Sequence, residues 1–333
     1  MTLPVRTGAR NTIGADDGSA PVPEEVPGCR ELLARLTAES AGLRAAGKIA
    51  FVGVGEHDVY NITAPFFFDG QTLIAGRVES RFTESSTLVL FRRGRDGTWH
   101  PCPCAPVLPG LQDPCVTTIN GELILGGVRF PVPLPDGRNG WRMEFYRGRR
   151  LSGLEHFLTG PDHMKDIRLI CLLDGRVAVF NRPQGQVGGR GKIGLTLARS
   201  LDELSAKVIV EAPLLEAQHP DSEWSGANEI HVLRDGRLGV LGHIACWDEQ
   251  ETRHYYPMVF AVHPDTRRAS ALRIIARRCD FPEGPAKRPD LADVLFSGGL
   301  LRHGNGTATL FAGLSDAEAG YLRMDDPMAP FEP

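Results

Sequence analysis

The stretch CLLDGRVAVFNRP, residues 171–183, decides the fold. An Asp-Gly pair separates two apolar runs of strand length. That is the pattern of a tight hairpin, because glycine takes the left-handed backbone that a type I′ turn demands. Four more stretches repeat it: FFFDGQTLIAGRV (66–78), TTINGELILGGV (117–128), VLRDGRLGVLGHI (232–244) and RHGNGTATLFAGL (302–314). The turn glycines Gly70, Gly121, Gly175, Gly236 and Gly306 are 51, 54, 61 and 70 residues apart. Repeats of about 50 residues, each holding a hairpin and further strands, are the sequence form of propeller blades. Five hairpins predict an all-β chain, a five-bladed β-propeller. A two-sheet sandwich is the alternative, but it would not favour five near-equal units. Three other pairs, Asp17-Gly18, Asp96-Gly97 and Asp136-Gly137, fall outside the repeat.

The flank reads differently. Residues 1–29 are rich in Gly, Pro and small polar residues and read as a flexible tail. Residues 30–47, RELLARLTAESAGLRAAG, carry Leu32, Leu33, Leu36 and Leu43 at helical spacing and end on Gly47. One amphipathic helix is expected there, either capping the propeller or meeting another subunit. The propeller would then occupy 48–327.

The net charge of −4 gives no global basic field, so neither nucleic acid nor a membrane surface is an expected partner. No apolar run approaches the roughly 20 residues of a membrane helix. The first residues lack an apolar signal core, and the seven cysteines are scattered. Both features point to reduced thiols and a cytoplasmic protein.

In a propeller, the start of each blade's inner strand meets the end of its hairpin partner at one rim. Seven to nine residues before the five glycines stand Asn61, Asp113, Asp166, Glu229 and Ser297. Seven after them stand Arg77, Val128, Arg182, His243 and Gly313, and Asp316 follows the last glycine by ten. A single Asp at a strand start is more often a turn residue than a catalyst. The aligned set argues for an active-site funnel. Lys165-Asp166 also reads as a structural ion pair, and Trp141 and Trp224 either stack on a sugar or simply pack.

The loop RPQGQVGGRGKIG (182–194) has the glycines and cations of a phosphate cradle. It is not a P-loop, because Gln186 stands where glycine is required and Ile193 where Ser or Thr should be. His100, Cys102 and Cys104 make a weak zinc pattern broken by prolines, so no metal is expected.

Many longer motifs resemble one family. VYNITAPF, QDP, GPDHMKDIRL, NRPQG, GGRGKIG, EWSGANEIH, GHIA, RHYYPM, FPEGPAKRPDL, FSGGL and SDAEA occur in order. They resemble the five-bladed-propeller mannosyltransferase–phosphorylases, long filed as a domain of unknown function and similar to the family 130 glycoside phosphorylases. The resemblance spans roughly 48–327. It implies inverting, reversible phosphorolysis or synthesis of β-mannosides, such as β-1,2-oligomannosides. Phosphate or α-mannose-1-phosphate would be a substrate, and no cofactor is needed. The alternatives are GDP-mannose-dependent transfer, inverting hydrolysis and a sugar-binding propeller without catalysis.

The resemblance also implies residue roles. Asp113, in Gln112-Asp113-Pro114, matches the catalytic acid, although Gln112 replaces a Glu and Cys115 stands where an Arg is usual. Arg182, Arg190, Lys192, His243 and Tyr255 are matched to phosphate. Asn61, Arg77, Lys165, Asp166, Asn228, Glu229, Glu283, Lys287, Arg288 and Asp316 are matched to the sugar substrate. The chemistry fits that parts list. Phosphate is already an anion and needs no general base, but it does need cations to hold it near carboxylates. Asp113 must carry a proton, and like-charge repulsion from Asp166 or Glu229 is expected to raise its pKa.

Overall fold

A computed structural model of the chain describes residues 26–39, 42, 44–134 and 137–332. Most of the expected 1–29 tail lies outside these residues, as do Leu43, Asp136 and the Asp17-Gly18 pair. The described chain is mostly β.

Helix α1 (Cys29–Glu39) comes first, followed by strand β1 (Ala45–Lys48). The first sheet holds β2 (Asp58–Tyr60), β3 (Phe66–Phe68), β4 (Gln71–Glu79), β5 (Ser86–Arg93), β6 (Trp99–Pro101) and β7 (Leu108–Pro109). The second runs β8 (Leu111–Ile119), β9 (Glu122–Pro133), β10 (Asn139–Gly148) and β11 (Glu155–Thr159). The third is β12 (Arg168–Cys171), β13 (Val177–Asn181) and β14 (Gly194–Ala198). The short helix α2 (Ala206–Val210) follows, capped by Ser205 Oγ, which accepts from Val208 N–H.

The last sheet contains two antiparallel runs. One is β15 (Trp224–Val232), β16 (Leu238–Trp247), β17 (Arg253–Val262) and β18 (Arg273–Ile274). The other is β19 (Asp293–Arg302), β20 (Thr307–Leu314) and β21 (Glu318–Asp325), with β1 added at its edge. A parallel pairing of His254–Tyr255 with Asp293–Val294 joins the two runs. Successive sheets abut: β8 lies against β4 and β5, β12 against β8, β15 against β12, β19 against β15, and β2 against β20 and β21. Strands covered on both faces read as unbroken apolar runs, and every residue from 238 to 245 of β16 is buried.

The predicted helix over 30–47 is corrected. It ends at Glu39, and Ala45–Lys48 is a strand antiparallel to β21, with Ala45 opposite Arg323. Small residues permit this. A Cβ on Gly47 would lie 2.7 Å from the Tyr321 ring, so only glycine lets that ring cover the strand. Leu32 and Leu36 of α1 are buried in the core that Leu238, Tyr256 and Ile274 share. The apolar stripe therefore docks on the β15–β18 run.

The hairpins also differ in detail. All five turn glycines are left-handed, with φ of 75°, 76°, 87°, 83° and 81° in chain order. Only Asp69-Gly70 and Asn120-Gly121 have both residues left-handed, as type I′ requires. The other three are longer loops in which Gly175, Gly236 and Gly306 donate to the carbonyls of Leu172, Leu233 and His303. There the glycine is the last residue of a three-residue loop and closes a four-residue turn. No helix among the described residues is long and apolar enough to cross a membrane.

Candidate active site

Four Asx residues come to one rim with unusual backbones. Asn61, Asp113, Asp166 and Asp316 have φ of 45°, 48°, 58° and 52°. L-residues rarely adopt this region, and Asn and Asp tolerate it best. Asn61 follows β2, Asp113 sits in a bulge of β8, Asp166 precedes β12, and Asp316 turns the chain between β20 and β21. All four line an inner cavity of about 180 Å³, together with Arg77, Lys165, His243 and Arg288. It continues into an outer cavity of about 400 Å³ that shares Asp113, Lys165 and Tyr255 and is walled by Trp141, Trp224 and Trp247.

Asp113 is tightly held. Asn61 Nδ2 donates to its Oδ1 at 2.8 Å, and Arg77 Nη1 lies 3.2 Å from the same oxygen. Burial works to raise its pKa, but the charges of Arg77 and Lys165 and the Asn61 hydrogen bond outweigh it. The carboxyl is therefore held below the ordinary carboxylate range, which corrects the expectation of a raised value. The carboxyl that is raised is Asp316, by burial and by the charge of Asp113, against the pull of Arg77. Arg77 is itself braced by buried Glu79, through contacts of 3.0 Å at Nε and 2.6 Å at Nη2.

Beside this pair lies a second group. Arg182 Nε is 3.2 Å from Asp166 Oδ2, and His243 Nε2 is 4.0 Å from the same atom. Burial tends to raise the Asp166 pKa, but Arg182, His243, Lys165 and Arg168 bring it down to about 2. Burial lowers that of His243 to about 3, so its imidazole is neutral. Its Nδ1 faces Asn228 Oδ1 at 2.8 Å, which places the proton on Nδ1 and leaves Nε2 as an acceptor. Its ring stacks on Tyr255 at 4.9 Å, and the Tyr255 hydroxyl accepts from Trp224 Nε1 at 2.7 Å. A Cβ on Gly226 would sit 2.6 Å from Asp166 Oδ2, so glycine is needed for this approach.

Among the described residues several buried polar atoms here have no hydrogen-bond partner: Arg182 Nη1, His243 Nε2, Asn61 Oδ1 and Asn228 Nδ2, while Arg182 Nε and Asp166 Oδ2 meet each other as an ion pair. Buried polar groups are normally satisfied, so this concentration marks a place built for a polar ligand. Arg182 contributes the Nη1 donors of its guanidinium, which suit an oxyanion.

Other expected site residues lie elsewhere. Glu229 is turned away: it accepts from His231 Nε2 at 3.1 Å and from Leu300 N–H, and faces a separate cavity of about 230 Å³. The reason is a bulge between Ala227 and Glu229 that puts Asn228, not Glu229, at the rim. Lys192 pairs with Asp221 and lines neither cavity of the funnel. Lys287 is a strut that donates to Glu79 and to Thr83 O, and Glu283 is exposed on its loop. Arg288 lines the inner cavity while paired with Asp290, and Arg190 lines the outer one. Sequence reading missed Glu79, Glu84, Gln184, Trp247 and Arg253. Arg253 lines both cavities and stacks over Trp247 at 4.6 Å. Its signal was the RHYYPM motif, of which Arg253 is the first residue.

Sheets curled about a cavity where carboxylates face arginine side chains define a mostly β protein with a candidate site for a polar ligand. The chain belongs to the DUF1861 family of proteins of unknown function, whose family model matches residues 36–330. It is similar to a mannose phosphorylase from Leishmania mexicana solved with a phosphate ion: 33% identity, 91% of this chain and 95% of that one, TM-score 0.82. It is also similar to a GDP-Man-dependent mannosyltransferase from the same organism: 30% identity, 92% and 96% coverage, TM-score 0.81. The β-1,2-mannobiose phosphorylase of Listeria innocua shares the fold at 12% identity, 84% and 90% coverage, TM-score 0.59. No curated protein matches the chain. The family resemblance carried by the sequence motifs is thereby borne out.

Proposed function

We propose that the chain is a five-bladed propeller enzyme that moves mannose reversibly between β-mannosides and phosphate, with inversion, releasing α-mannose-1-phosphate. One observation carries this reading: among the described residues the buried Nη1 of Arg182 has no hydrogen-bond partner, in the funnel that holds Asp113. Similarity to the mannose phosphorylase solved with phosphate supports it. In this reading β2–β7, β8–β11, β12–β14, β15–β18 and β19–β21 are the blades, and β1 on β21 closes the ring.

The residues divide the work. Arg182 forks two phosphate oxygens, and Lys165, which lines both cavities, adds a point charge. The Tyr255 hydroxyl accepts from Trp224 and so has its own proton to donate. His243 Nε2 accepts from a protonated phosphate oxygen. Asp166, held ionised, and Asn61 orient sugar hydroxyls. Asp113 gives its proton to the departing glycosidic oxygen while phosphate attacks the anomeric carbon from the opposite face. Phosphate also helps load that proton. It offsets the cationic field of Arg77 and Lys165 that holds the Asp113 pKa down.

A second reading, transfer from GDP-mannose, is favoured by the outer cavity. Its tryptophan wall could stack a guanine, and Arg190 and Arg253 could face a diphosphate. The two readings separate when the chain is mixed with mannose and either donor. Phosphate release from α-mannose-1-phosphate with growth of an oligomannoside supports the first. Mannose transfer from GDP-mannose alone supports the second, and inertness toward both contradicts each.

A further inference from the structure

Outside the funnel, three side chains from distant parts of the chain meet. Cys29 is the first residue of α1, Glu223 immediately precedes β15, and Cys246 is near the end of β16. One ligand atom from each lies within 4.8 Å of the other two. Cys29 is buried and the other two are half-buried. The Glu223 carboxylate is fixed in place, since both its oxygens accept from the Cys29 backbone N–H, at 2.9 and 3.0 Å. Among the described residues no cationic side chain pairs with it. The two thiols stand beside each other and beside this carboxylate.

Two sulfurs and a carboxylate oxygen at this spacing are a donor set for a thiophilic divalent cation. We propose that Cys29, Glu223 and Cys246 bind a cation of the zinc class. Binding converts two thiols to thiolates and releases two protons, and three protein ligands leave a fourth position for water. No spacing motif announces such a site, because its ligands stand at 29, 223 and 246.

The position gives the site a consequence. Glu223 is followed by Trp224 and Cys246 by Trp247, and both indoles line the outer cavity with ring centroids 5.9 Å apart. A cation here ties α1 to the two strands that carry the cavity wall. Its binding is therefore read in tryptophan fluorescence, whatever reaction the funnel performs.

The test uses the reduced full-length chain with Zn²⁺ or Co²⁺ alone. Cys102 and Cys104, whose sulfurs are 3.1 Å apart, are the competing thiols. The expected result is one Zn²⁺ per chain, a change in tryptophan fluorescence, and a thiolate-to-cobalt absorption band. Both signals persist in the C102S/C104S variant. In C246S, with its fold checked by circular dichroism, affinity falls on the order of 100-fold and the cobalt band weakens. E223Q weakens binding without removing a thiol. The proposal is overturned if the wild-type chain gives no thiolate band, if C102S/C104S abolishes it, or if C246S and E223Q bind like wild type.

Discussion

A single oxygen of Asp113 receives two donors: Asn61 Nδ2 at 2.8 Å and Arg77 Nη1 at 3.2 Å. Both contacts fall on Oδ1, which leaves Oδ2 available to the cavity. Arg77 reaches this place because Glu79, fully buried, anchors its other nitrogens. The carboxylate is thus oriented by Asn61, just after β2, and by Arg77 of β4 before any ligand arrives.

Replacing Asp113 with Asn keeps that orientation and removes the proton. Oδ1 still accepts from Asn61 and Arg77, so the melting temperature should stay close to wild type. Turnover should fall by about 10²–10⁴, the usual contribution of a general acid. Steady-state kinetics beside a thermal melt checks both. A sugar-binding protein without catalysis would instead keep its ligand affinity.

Arg182→Lys retains a charge but loses the fork. The KM for phosphate should rise about 10-fold, and about 100-fold in Arg182→Ala, while mannoside affinity changes little. Titrating phosphate at fixed mannoside gives the two constants separately. Equal losses for both substrates would place Arg182 at the sugar instead.

Asp316→Asn removes a negative charge from beside Asp113. Like charges raise one another's pKa, so the substitution should lower that of Asp113 further. If turnover needs protonated Asp113, the alkaline limb of the kcat/KM profile moves to lower pH. A profile that keeps its position would separate the two carboxyls functionally.

His243 makes stability depend on pH. Its folded pKa of about 3 lies below its ordinary 6.5, so the unfolded chain binds the proton first. Its contribution is complete above pH 6.5 and is lost as pH falls from 6.5 toward 3. His243→Gln should flatten the fall of melting temperature across that window. Asp166 acts in the same direction but lower, between 3.8 and about 2.

The hairpins were legible because a left-handed turn residue has few chemical solutions, and glycine marked all five. The rim was legible for Asn61, Asp113, Asp166 and Asp316, since Asx residues are the side chains that tolerate that backbone. It failed at Glu229 for a specific reason. A bulge at Asn228 inserts one residue, and one residue of slip turns a strand's side chain to the opposite face. Lys192 and Lys287 were misread because their acidic partners, Asp221 and Glu79, are distant in sequence. Arg253 was missed for another reason: it meets Trp247 only because the two stand opposite each other on neighbouring strands. The end of α1 was misread because AAGK is a weak strand by composition and is specified by its pairing with β21.

The most direct test of the central claim follows phosphorus and anomeric configuration together. The chain is incubated with a β-1,2-mannobiose and inorganic phosphate and observed by ³¹P and ¹H NMR. The account predicts α-mannose-1-phosphate as the first product, formed only when phosphate is present and absent with Asp113→Asn. Free mannose released at the same rate without phosphate would contradict it.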